Sequence, residues 1–82
     1  MNTNTIRKEL TNNKNDKLTF DKESEIYTFK TETNNSSGYI VNHVRSALRQ
    51  FEPEFLEFSK STKSWKPKIV TVKFYLRNKE NF

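Results

Sequence analysis

One imidazole, a scatter of serines and a short run of carboxylates are the material from which a catalyst would have to be assembled. His43 is the only histidine in the 82 residues, and the serines at 36, 37, 46, 59, 61 and 64 have no His–acid constellation near them in sequence. Glu52, Glu54 and Glu57 have the chemistry for paired acid–base work, but carboxylates around a helix end are ordinarily solvated. A stable metal site needs three or four ligands, and the chain has a lone histidine and no cysteine to offer. Its single glycine cannot build a phosphate-cradling loop. The expectation is a protein that is not an enzyme and takes no metal, cofactor or small-molecule substrate, with His43 as a surface or interface imidazole.

Charge and aromatic rings carry more. The formal net charge is +5, and it is unevenly placed. Residues 1–59 carry eight basic and nine acidic side chains, whereas Lys60, Lys63, Lys66, Lys68, Lys73, Arg77 and Lys79 follow with no acid among them before Glu80. Such a segment can meet phosphates or an acidic protein surface; equally, lysines keep a solvated edge strand from aggregating. Trp65 stands among Lys60, Lys63, Lys66 and Lys68. A ring interleaved with ammonium groups can stack a base while they hold phosphates, and Tyr75 extends the same reading. The competing expectation is that Trp65 caps the open edge of a small core.

These residues need elements to position them. Residues 1–16 are polar and Asn-rich, with only Ile6 and Leu10 to support one helical turn, and read as a flexible arm. "KLTF" (17–20) and "EIYTFKTET" (25–33) are β-prone runs joined by the turn "DKES", and Tyr27 and Phe29 alternate with Ile26 and Thr28 as in a hairpin with one buried face. "NNSSG" (34–38) is a helix-start signal. Ile40, Val44, Ala47, Leu48 and Phe51 then fall on one stripe at 3.6 residues per turn, widened by Val41, with His43, Arg45, Arg49 and Gln50 on the remainder. Pro53 disfavours helical geometry at Glu52, so the helix should end near there. "EFLEFS" (54–59) reads as a strand and "KSTKSWKP" as a basic connection; "KIVTVKFYLR" (68–77) is the clearest strand, with Val70, Val72, Phe74 and Leu76 on one face. The expected fold is α+β: a mostly antiparallel sheet in β-β-α-β-β order with one amphipathic helix packed on one face. One domain spans 17–79, followed by a tail at 80–82.

Size sets a further constraint. A chain of 82 residues makes one thin core at most, and such cores rarely supply more than about 3–5 kcal/mol, so help from a partner is expected. The N-terminus has no leader-like apolar run and nowhere do 18 apolar residues occur together, which points to a soluble intracellular protein, cytoplasmic or nuclear, without membrane contact. Abundant Asn, Lys and Thr suggest an AT-rich coding bias, as in many viral, plasmid and parasite genomes.

The stretch "GYIVNHVRSAL" (38–48) looks like the helix pattern H-T-L-G-N-x-x-R-S-x-L, with Asn42, Arg45, Ser46 and Leu48 matching and Ile40 at the first Leu. Pro53, "FLEF", a basic loop ending in Lys66–Pro67, and "KIVTV" then follow in the order and spacing of the same pattern. From about Glu25 to Arg77 the chain thereby resembles the small α-like assembly subunits of multisubunit RNA polymerases: archaeal subunit L, the eukaryotic subunit-eleven type and, more distantly, the dimerisation domain of bacterial α. It departs from them in Gly38 and Tyr39 for His-Thr, Val41 for the motif glycine and a single loop proline. The resemblance implies a non-catalytic role in DNA-directed transcription, heterodimerising with a larger α-like subunit through helix 37–51 and gathering the large catalytic subunits. The partner interface would then comprise Ile40, Val41, Asn42, Val44, Arg45, Ala47, Leu48 and Phe51; the same stripe serves as well for internal core. The rival expectation is a small basic nucleic-acid-binding or host-modulating protein. Acidic-partner or nucleic-acid contacts would come from Arg49, Lys60, Lys63, Trp65, Lys66, Lys68, Lys73 and Arg77.

Overall fold

Two apolar residues one helical turn apart, Ile6 and Leu10, are enough to dock the polar N-terminal segment. A computed structural model describes residues 3–11 and 16–78, and in it Thr3–Leu10 is an α-helix, α1, with both side chains fully buried in the core. The Arg7 guanidinium donates to the Leu18 carbonyl at 3.2 Å, and the Thr11 amide and hydroxyl close the last turn on the Arg7 carbonyl at 2.8 and 2.6 Å. This corrects the expectation of a flexible arm over 1–16. A short helix gains its stability from tertiary packing rather than from its own sequence, and Ile6 and Leu10 supply the packing. The rest of that arm, 1–2 and 12–15, and the expected tail at 80–82 with Lys79, lie outside the described residues.

Period-two patterning produces the sheet. Strands β1 (Lys17–Asp21), β2 (Ile26–Thr33), β3 (Pro53–Phe58) and β4 (Lys68–Leu76) form one sheet in the order β1-β2-β4-β3, antiparallel throughout. Both β2 and β3 are antiparallel to β4, so they are parallel to each other with β4 between them, a split β-α-β unit whose crossover is the main helix, α2 (Ser37–Ala47). The inward face is Leu18, Tyr27, Phe29, Val70, Val72, Phe74 and Leu76, all buried; Tyr27 stacks on Phe74 with ring centroids 5.4 Å apart. The α+β class and the antiparallel sheet under one main helix are as the sequence leads one to expect, with α1 added beside it.

Helix α2 starts where the Ser36 hydroxyl accepts the Tyr39 amide at 3.2 Å, satisfying a first-turn donor. It ends at Ala47, short of the expected boundary at 51, and a 3-10 turn, Arg49–Phe51, completes the run. Glu52, held off right-handed helical geometry by Pro53, takes a left-handed conformation with φ 50°. Its carbonyl accepts the Arg77 amide at 3.1 Å, while the Phe51 carbonyl accepts that of Asn78 at 3.0 Å, so this reversal pins the end of β4 to the helix end. A bulge at Leu56 shifts the register of edge strand β3 and sets Glu57 opposite Lys73.

Candidate nucleic-acid interface

Between β3 and β4 the chain leaves the sheet for nine residues, Ser59 to Pro67, in which only Trp65 and Pro67 are apolar. With nothing to bury, this loop is held by hydrogen bonds to the turn that starts α2. Ser37 is the hub: its amide and its hydroxyl both donate to the Ser61 carbonyl, at 3.1 and 3.3 Å, and the hydroxyl accepts the Ser61 amide at 3.2 Å. Further along, the Ser64 amide donates to the Asn34 carbonyl at 2.9 Å and the Asn34 side-chain amide donates to the Trp65 carbonyl at 3.4 Å. The Lys68 ammonium reaches back to the Asn35 carbonyl at 2.9 Å and the Ser64 hydroxyl at 3.3 Å, and that hydroxyl donates to the Lys66 carbonyl at 2.8 Å.

These ties fix the backbone and leave the indole out. Trp65 is 98% exposed, so it does not cap the core. Lys60, Lys63 and Lys66 are exposed on the same loop, and no described acidic group lies within ion-pair distance of them. The other described cations of the basic segment have partners of their own. Lys68 is a half-buried anchor of the loop, Lys73 meets Glu57 at 3.3 Å and Arg77 meets Glu54 at 3.8 Å on the open face of the sheet. Arg49 is exposed beyond the opposite end of α2 from the loop. Of the eight residues anticipated as acidic-partner or nucleic-acid contacts, four lie exposed on this one loop and the other four lie elsewhere in the fold.

The expected partner face of α2 needs correction. Ile40, Val41, Val44, Leu48 and Phe51 are buried in the domain's own core, and Ala47 is half-buried against it. The reason is geometric: one side of a four-stranded sheet is apolar, and α2 with its 3-10 turn is its principal cover. What α2 shows to solvent instead includes Tyr39, Asn42, Arg45 and Ser46. Asn42 accepts a hydrogen bond from Arg45 at 2.8 Å, and the Arg45 guanidinium sits 5.2 Å from the centre of the Phe55 ring. Half-exposed Leu56 and Phe58 follow on the same edge strand.

His43 is half-buried at a cleft of about 200 Å³ lined also by Asp16, Glu32 and Tyr39. Among the described residues no group of three or more His, Cys, Asp or Glu side chains is placed to hold a metal ion, and no described helix is long and apolar enough to cross a membrane. A comparison with protein-family models, curated proteins and solved structures found no match to this chain. The loop anchors Asn34, Asn35 and Ser37 were missed as site residues, because in sequence they signal only a helix start; Ser37 is buried beneath the loop it holds.

Proposed function

We propose that this chain is a small nucleic-acid-binding module whose contact surface is the loop carrying Lys60, Lys63, Trp65 and Lys66. One observation carries the reading: the largest aromatic ring of the protein is almost wholly in water, on a loop tied to the start of α2, among three lysines that no described acid neutralises. Lysine ammonium groups suit phosphates as point charges, and an exposed ring adds a surface for bases. No chemistry is assigned to the loop. The test is a gel shift of the full chain with DNA and RNA at about 50 mM salt, where counterion release favours binding. Retardation that weakens steeply with added salt is expected, and absence of any complex at that salt sinks the reading.

A second reading, the non-catalytic polymerase assembly subunit, keeps the support of the element order and of one local feature. Asn42 and Arg45, two of the three motif residues outside the core, stand bonded to each other, with Arg45 over Phe55 of the edge strand that also carries half-exposed Leu56 and Phe58. On this reading a partner subunit meets that edge rather than the apolar stripe. Arg45→Glu, folded by circular dichroism, should fail to copurify with an α-like subunit from the native host; normal recovery of every polymerase subunit removes the arginine from the proposal.

A further inference from the structure

Resting on the nucleic-acid reading of the loop, we infer that its ligand is an unpaired run of nucleotides, bound with little sequence preference, with one base stacked on Trp65. The ring is 98% exposed, so a flat partner has access to it. Bases inside a duplex are already stacked on their neighbours, and opening a step to admit a side chain costs at least as much as one new stack returns. An unpaired base has a free face and carries no such cost. The loop is ordered beforehand by Ser37, Asn34 and Lys68, so little freedom is lost when the base arrives.

Sequence tolerance follows from what surrounds the ring. Reading a base edge takes a placed donor or acceptor, and the hydroxyl nearest Trp65 in the chain, that of Ser64, is occupied by the Lys66 carbonyl and the Lys68 ammonium. Lysines at three-residue intervals can take about three phosphates, a footprint of roughly three to four nucleotides.

Trp65 is the only tryptophan, so its fluorescence reports on this site alone. The full chain is titrated at about 50 mM salt with an eight-residue oligo(dT), an eight-residue oligo(rU), a blunt duplex, the same duplex with a four-nucleotide overhang, and an oligoglutamate of equal charge. The oligo(dT), the oligo(rU) and the overhang should quench the indole and bind at least about tenfold more tightly than the blunt duplex. Trp65→Ala, which removes no core contact, should lower affinity for labelled oligo(dT) by about 5- to 150-fold and abolish the preference, and Trp65→Phe should recover part of it. A blunt duplex bound as tightly as oligo(dT), with unchanged fluorescence, overturns the unpaired-base inference and leaves the nucleic-acid reading standing. Failure of every nucleic acid to bind overturns the reading itself, as does tighter binding of the oligoglutamate.

Discussion

Salt dependence separates the cations that the fold leaves free from those it engages. Each phosphate neutralised on a single strand lowers log K by about 0.7 per decade of salt. Three lysines, Lys60, Lys63 and Lys66, are exposed and without an acidic partner among the described residues, so the slope for oligo(dT) should lie near −2, a loss of about 20-fold between 50 and 200 mM. Were Lys68, Lys73 and Arg77 to contribute equally, the slope would approach −4 and the loss about 300-fold. The assay is the quenching titration repeated at five or six salt concentrations. Lys63→Gln should flatten the slope by about 0.7, whereas Lys73→Gln, whose ammonium is held by Glu57 at 3.3 Å, should leave it within about 0.3 of the parent. A slope near −4 in the parent, or equal flattening by both variants, refutes the assignment of the contact to the loop.

Four other variants test the frame. Ile6→Ala combined with Leu10→Ala removes two fully buried side chains; at about 2–5 kcal/mol each this should consume most of the stability of a domain of this size, and a urea midpoint close to the parent's would show that α1 is not docked. Val44→Asp places a charge where no solvent reaches and should unfold the domain, so lost partner binding in that variant reports folding; a normal melt contradicts the core assignment. Ser37→Ala removes the hydroxyl that both donates to and accepts from Ser61 and should weaken oligo(dT) binding several-fold by loosening the loop. Ser61→Ala should be neutral or stabilising, because the Ser61 hydroxyl is buried with no hydrogen-bond partner among the described residues; the opposite ranking of the two serines, measured by titration and thermal melting, shows that Ser37 is not the tether.

What could be read from the sequence was whatever a short window encodes. Strict alternation from Val70 to Leu76 placed four buried side chains on one face, and Tyr27 and Phe29 did the same for β2. The stripe of α2 was equally legible as a stripe, yet its destination was not: apolar residues at helical spacing look identical whether a sheet or a partner helix covers them. Helix α1 escaped because two apolar residues in a polar segment carry too weak a local signal, and the surface that holds them is assembled from β1 and from α2, which is distant in sequence. The order β1-β2-β4-β3 and the bulge at Leu56 are likewise non-local. That bulge sets Glu57 opposite Lys73 and so pairs, at the surface, a cation that the basic run had promised as free.

The type of Trp65 was visible in the chain; its exposure, which makes the ring available to a ligand, was not. Tyr27, Phe29, Phe51 and Phe74 are essentially fully buried, and Phe20 and Phe55 pack against the same core. A tryptophan that buried about 200 Å² would gain about 5 kcal/mol, comparable to the entire stability of a small domain. The loop instead uses its hydrogen bonds to hold the ring away from the core, a local violation with no compensating contact of the kind found at functional sites. If the exposure were mere tolerance, Trp65→Ser would change neither melting temperature nor binding. The expectation is that it leaves the melt within about 0.5 kcal/mol, as for surface substitutions generally, and removes the quenchable, single-strand-selective complex. A variant that binds oligo(dT) as the parent does would return the ring to the status of an unexplained surface residue.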